Sequence, residues 1–397
     1  MPQQKLDDDM NDTADNTKPS LANWRLAPHS KWAFQHVNQL IPAATINASS
    51  FHSEFTEKLH GNLDNEFIDS DSRQTVSQHL HNTFSDNLLI LQKGNIVYRW
   101  HAEHSRPQNP HILFSISKSI TAMVAGILQH QGLLDTNKAV GFYLPGCHGS
   151  AYQDCSLQNL LDMAAALDFD ETYLDPDSDF RRYRDATGWN PVDQNNPGPD
   201  LENFLYSIKK ASRNHGEIFA YKSPNSDLLG LLLERVAGIP YAELVSQLLW
   251  QPMAASRDAY VTVDRSLLAR GAGGICATID DLARVGQLIL DRGAVGTRQV
   301  IPEQWIDDTA NNGDSIAWSK GDFSELAPKG NYRNKWYLMG NSDQVSMAIG
   351  IHGQWLYINP KKQIVIAKQA SQPLPLDDDL DAQSLRFFRQ VCQLISD

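Results

Sequence analysis

Ser115-Ile116-Ser117-Lys118 sets a hydroxyl and an amine three residues apart. On a helix, such a pair shares one face and can meet. A serine hydroxyl is a weak nucleophile that needs a base. A lysine fills that role only where burial or a nearby cation lowers its pKa. Ile116, Ile120, Met123, Val124, Ile127 and Leu128 follow at helical spacing, so Lys118 opens an apolar helix that ends near Gly132. Backbone N–H groups at that helix start would face an oxyanion developing beside Ser115. The same four residues also read as a helix cap followed by a surface lysine. A second match, Ser207-Ile208-Lys209-Lys210, has polar neighbours in Arg213 and His215 and reads as a solvated helix end.

Tyr221-Lys222-Ser223-Pro224-Asn225 comes later and leads into a second apolar helix, SDLLGLLLERVAG. A tyrosine can relay a proton if cations hold its phenol as, or near, the phenolate. Ser223 can donate beside it. Tyr332-Arg333-Asn334 and Tyr357-Ile358-Asn359 fit a looser Tyr-x-Asn pattern but open no apolar helix, and read as structural. Gly271-Ala272-Gly273-Gly274 lacks dinucleotide-loop spacing and reads as a close backbone approach. No GxSxG elbow and no HExxH pair occur. His101 and His104 have no convincing metal partner in sequence, so neither a metal nor a cofactor is expected.

The elements that would carry these residues can be read from periodicity. LLILQKGNIVYRW reads as a hairpin turning at Lys93-Gly94, and QWLYINPKKQIVIAKQ as another turning at Asn359-Pro360. DLARVGQLILDRG and LDAQSLRFFRQVCQLIS read as amphipathic helices. Strands near both ends with helices between them predict an α+β fold, its one sheet built from both ends of the chain. The expected units are a tail at 1–22, a discontinuous α/β domain at 23–150 and 275–397, and a helical domain at 151–274.

Composition narrows the function classes. The 397 residues are 41% hydrophobic and 20% charged, with a net charge of −13. An acidic chain does not favour nucleic acid or anionic lipid, since phosphate repels it. No apolar run reaches the roughly 18 residues that span a membrane. The start, MPQQKLDDDMNDTADNTKPS, lacks the basic and apolar regions of a secretory signal, which predicts a cytoplasmic protein. Cys147, Cys155, Cys276 and Cys392 form no CxxC pair and read as free thiols. A homodimer is compatible with the sequence, which does not fix the oligomeric state.

FSISKSITAMVAGILQHQGLLD, YKSPNSDLLGLLLERVAG and GAGGICATIDDLARVGQLILDRG, in this order, resemble the serine β-lactamase, DD-peptidase and class C-like esterase superfamily over about residues 85–395. ANWRLAPHSKWAFQHVNQLIPAA, ETYLDP and MAIGIHGQWLYINP resemble one subgroup, the 6-aminohexanoate-dimer (nylon-oligomer) hydrolases. The resemblance implies a β-lactamase/transpeptidase-like fold, an antiparallel sheet flanked by helices plus an all-α region, and a serine acyl-enzyme. It makes Ser115 the nucleophile, Lys118 its base and Tyr221 the second proton carrier. Ser223 stands where the motif often has Asn. The Lys- or His-Thr-Gly strand is absent, and Ile349-Gly350-Ile351-His352-Gly353 takes its place. Ile351 N–H is then expected to join Ser115 N–H in the oxyanion hole.

The same resemblance nominates Tyr173, Ser223, Asp185, Tyr337 and His352 for substrate binding. An ungapped alignment puts Arg184 where the subgroup's amide hydrolases carry an aspartate that meets the substrate's ammonium, with Asp185 beside it. Ala272 replaces an Asn, and Trp336-Tyr337 stands where a second Trp follows the first. These departures predict an enzyme that cleaves esters or linear amides of small acids but acts weakly on the 6-aminohexanoate dimer. Two rivals remain at this level: a β-lactamase or DD-peptidase, and a non-catalytic scaffold of the same fold that only binds ligands.

Overall fold

A computed structural model describes residues 18–52, 54–61, 63–66, 74–193 and 195–396. Strands β1 (Ser85–Gln92) and β2 (Asn95–His101) form the first predicted hairpin. Lys93 and Gly94 at its tip have φ of +49° and +73°, both left-handed, as a two-residue turn between twisted strands requires. Helix α1 (Ile116–His130) follows, closed by Gly132 at φ +76°. Then come α2 (Asp179–Ala186), α3 (Pro224–Ala237) and α4 (Ile279–Leu290). The chain returns through β3 (Asn331–Arg333), β4 (Trp336–Leu338), β5 (Ser346–Gly350), β6 (Gln354–Asn359) and β7 (Ile364–Ala370), and closes with α5 (Asp378–Leu394).

Among the described residues, one eight-stranded sheet has the order β3-β4-β5-β6-β7-β1-β2, with Thr56–Glu57 at its edge. β7 pairs antiparallel with β1, so the sheet does join the two halves of the chain. Both faces of its centre are covered. Leu89, Leu91, Leu356, Ile358, Val365 and Ala367 belong to the core that includes α4. Leu88, Ile90, Trp355, Tyr357, Ile364 and Ile366 belong to the core that includes Phe387 and Phe388 of α5. This two-sided burial is why β1 and β7 read as continuous apolar runs without polar alternation. Close packing sets one glycine: a Cβ on Gly286 of α4 would lie 2.4 Å from Val365.

A smaller sheet joins Ala43–Ile46, Ala259–Thr262, Ile275–Ala277 and His111–Ile112. The stretch read as helical, 151–274, therefore also supplies a strand to this sheet, and Leu167–Asp168 and Lys209–Lys210 within it pair as a further two-stranded sheet. Most of the expected tail lies outside the described residues. Its end is packed: Leu21 lies against the cluster of Trp24, Phe34 and Phe114. All four cysteines are buried free thiols. Among the described residues, no helix is long and apolar enough to cross a membrane, and no group of three or more His, Cys, Asp or Glu could hold a metal.

Candidate active site

The small sheet delivers Ser115. Leu113 N–H bonds Ile275 O at 2.9 Å, and the chain then turns sharply at Phe114, whose φ of +44° is left-handed. Such a conformation costs about 1–3 kcal/mol and persists only where surroundings enforce it. Here the Phe114 ring is fixed against Trp24, Phe34, Trp189 and His352. Ser115 emerges from this turn at the N-cap of α1.

Lys118 Nζ lies 2.7 Å from Ser115 Oγ and donates to Ala272 O, also at 2.7 Å. The lysine is only 2% exposed. Burial, assisted by the Arg270 cation, lowers its pKa to about 7, against the pull of Glu171 and Asp227. Near neutrality a large fraction of Lys118 is therefore the free amine, whose lone pair can accept the Ser115 proton.

The glycine-rich segment is part of this machinery as well as a close approach. Asp227 of α3 is fully buried and accepts Ala272 N–H at 2.6 Å and the Tyr183 hydroxyl. It thereby holds the peptide whose carbonyl anchors Lys118. A Cβ on Gly271 would sit 3.2 Å from Ser226 O, so that segment packs directly on α3.

Tyr221 precedes α3 and is held by a 2.9 Å bond from its N–H to Asp322 Oδ2. Ser115 and Tyr337 act to lower its phenol pKa, and its ring centroid is 5.2 Å from Lys118 Nζ. The expectation that cations hold this phenol near its phenolate is not met. Burial, with the Glu171 charge, raises its pKa, so Tyr221 is a neutral phenol with a proton to give. Tyr337 stacks on it at 6.3 Å.

Ser223 immediately precedes α3, and both its N–H and its Oγ bond Glu171 at 2.5 Å. The Tyr173 hydroxyl donates to the same carboxylate at 3.2 Å. Glu171, the first residue of ETYLDP, thus organises two of the five residues nominated for the substrate, Ser223 and Tyr173. Desolvation raises its pKa, opposed first by Lys118.

Ile351 follows β5 and lines the site with Ser115. Its position depends on Gly350, where a Cβ would lie 2.5 Å from Leu113 O. Neither Ser115 N–H nor Ile351 N–H is bonded to the backbone of another described residue, as donors to an oxyanion should be. His352, at φ +61°, is fixed by a 2.7 Å bond between its Nδ1 and Gln372 O. Burial lowers its pKa to about 4, so it forms a neutral wall. Asp185 does not join the site: it binds Asn190 Nδ2 at 2.7 Å and Arg181 Nε at 3.4 Å. Its neighbour Arg184 does line the cavity.

Two hollows meet at Ser115. One, of about 220 Å³, is lined by Phe114, Phe180, Trp189, Ile351 and His352 together with arginines. The other, of about 830 Å³, shares Ser115, Tyr173 and Ile351 with it and includes Tyr221, Phe323, Tyr337 and Arg389. Glu171, Asp227 and Arg270 are site residues that the motifs do not reveal. The signal for Asp227 is a lone carboxylate inside the apolar run PNSDLLGLLL.

Comparison with known proteins gives the family. The β-lactamase family model matches residues 73–389. A 6-aminohexanoate-dimer hydrolase of Paenarthrobacter ureafaciens is 32% identical over 360 residues, 90% of this chain and 89% of that protein. A Bacillus anthracis protein provisionally assigned as a 6-aminohexanoate-dimer hydrolase superposes with a TM-score of 0.86 at 22% identity, covering 96% of this chain and 99% of the other. EstCE1, a hydrolase with promiscuous acyltransferase activity, gives 0.61 at 16% identity, covering 80% and 96%. The chain belongs to the β-lactamase family and is a hydrolase homologous to 6-aminohexanoate-dimer hydrolase.

Proposed function

We propose that the protein is a serine hydrolase that cleaves esters and linear amides of small acids through an acyl-enzyme on Ser115. The observation that carries this reading is the 2.7 Å contact between Ser115 Oγ and the buried Lys118 amine, whose pKa is lowered to about 7. Ser115 attacks the substrate carbonyl while its proton passes to Lys118. The carbonyl oxygen becomes an oxyanion between the N–H groups of Ser115 and Ile351. Tyr221, a neutral phenol beside Lys118, gives its proton to the departing oxygen or nitrogen and is reprotonated from Lys118. Water then enters along the same proton path, releases the acid and restores Ser115.

A non-catalytic scaffold has no use for a lysine desolvated beside a serine, since burying an amine without its charge costs stability. A β-lactamase role lacks the basic Lys- or His-Thr-Gly strand that would hold the β-lactam carboxylate, since Ile349-Gly350-Ile351-His352-Gly353 stands in its place. A panel of p-nitrophenyl esters, linear amides and nitrocefin tests the reading. Ester turnover well above nitrocefin turnover, with fluorophosphonate labelling of Ser115, is expected. Nitrocefin turnover equal to ester turnover would favour the β-lactamase reading, and no labelling would favour the scaffold. Activity on the 6-aminohexanoate dimer, the substrate named for the relative, is expected to be weak, because Arg184 and not an aspartate faces the cavity.

A further inference from the structure

The 220 Å³ cavity beside Ser115 is lined by Arg25, Arg184 and Arg270 and by no carboxylate. The three come from separate parts of the chain: the segment after Trp24, helix α2, and the loop before Gly271. Each is held by neutral groups. Arg25 donates to Asn190 Oδ1 at 2.7 Å. Arg184 lies over the Phe180 ring at 5.4 Å. Arg270 lies 3.7 Å over the Trp189 ring and donates to Thr187. Arg181 and Arg182 of the same helix are instead ion-paired with Asp185 and Asp179.

Buried Nε atoms of Arg184 and Arg270 have no hydrogen-bond partner among the described residues. Unmatched buried donors of this kind are uncommon in folded proteins, and these two belong to residues that line the cavity. The cations also burden one another. Burial, then Arg184, Arg270 and Arg181, lower the pKa of Arg25 to about 9, with Asp185 opposing. Burial, Arg181 and Arg270 lower that of Arg184. Asp227 offsets part of the Arg270 charge, but it is committed to Ala272 and Tyr183.

We propose that this cavity receives the acyl portion of the substrate and that the acyl chain ends in an anion, a carboxylate first of all. The proposal rests on Ser115 forming the acyl-enzyme. A guanidinium fork matches a carboxylate with paired, charge-assisted hydrogen bonds. Size limits the chain: a cavity of about 150 Å³ holds a benzene-sized molecule, so this one takes an acyl group of roughly eight to nine heavy atoms. Glutaryl and adipyl groups fit that limit. The reaction is hydrolysis of a dicarboxylic acid monoester or monoamide. Ser115 carries the ω-carboxyacyl group while the alcohol or amine leaves with a proton, and water then releases the free dicarboxylate.

The test compares kcat/KM for three p-nitrophenyl esters: hydrogen glutarate, its neutral isostere 5-methylhexanoate, and cationic 6-aminohexanoate. Wild type should favour the glutarate over the neutral ester by about tenfold or more, and the cationic ester should be the poorest. The glutarate-to-neutral ratio should collapse toward one in Arg184→Gln and in Arg25→Gln. Arg184→Glu should move preference toward the cationic ester. A neutral ester that matches or exceeds the glutarate in wild type overturns the proposal, as does a ratio unmoved by both Gln variants. These outcomes are separable from failure of the acyl-enzyme reading, which would appear as turnover of all three esters surviving in Ser115→Ala.

Discussion

Two SxxK sequences in this chain have opposite fates. At Ser115 the helix runs through the lysine, so Oγ and Nζ meet at 2.7 Å within the packed interior. At Ser207 the helix Leu201–Ser207 stops at the serine, and Lys210 falls in the short strand Lys209–Lys210. Ser207 Oγ caps Phe204 O at 2.6 Å, and Lys210 pairs with Asp154 at 2.6 Å on the surface. Four residues of motif therefore do not make a nucleophile. Helical continuity brings the two groups together, and desolvation lowers the lysine's pKa.

Mutating both motifs in parallel sharpens the contrast. Ser115→Ala should lower ester kcat by at least about 1,000-fold, because the acyl-enzyme route needs the hydroxyl that meets Lys118. Ser207→Ala should leave it unchanged. Comparable losses at both serines would break the distinction. Lys118→Arg keeps a cation but no accessible lone pair, and should cost about 100- to 10,000-fold. Lys210→Arg should cost nothing measurable. An active Lys118→Arg enzyme would make the lysine an electrostatic helper and put the base elsewhere.

Gly350→Ala probes the oxyanion side. The added Cβ would meet Leu113 O and move Ile351 N–H, for a loss of up to about 100-fold in kcat with little change in KM. A change confined to KM would argue that Ile351 only lines the cavity.

The smallest effect concerns pH. With the Lys118 pKa lowered to about 7, kcat/KM should rise with pH as the ammonium deprotonates, giving an acid limb near pH 7. Glu171 favours the ammonium form, so Glu171→Gln should move that limb to lower pH. A limb that stays in place would show that the two groups are uncoupled.

The same contrast between local and distant contacts separates what is legible in the sequence from what is not. Ser115, Lys118 and Tyr221 lie in local motifs that open apolar helices, and both hairpins follow from turn chemistry and strand residues. Glu171, Asp227 and Arg270 gain their roles from contacts across the chain, to Ser223, Ala272 and Trp189, which no local pattern encodes. Asp185 enters the expected site only because it adjoins Arg184. On a helix, adjacent residues point about 100° apart, so a one-residue uncertainty changes the face presented. Arg184 lines the cavity, and Asp185 turns to Asn190. For the Tyr221 phenol the motif suggests acidification by cations, whereas its burial does the opposite.

The most direct test of the account is the site of covalent modification. Enzyme quenched during turnover of a slow p-nitrophenyl ester, then digested and mapped by mass spectrometry, should carry the acyl group on Ser115, with no adduct in Ser115→Ala. Acylation at Ser117 or Ser207, or full turnover with no adduct on any serine, would contradict it.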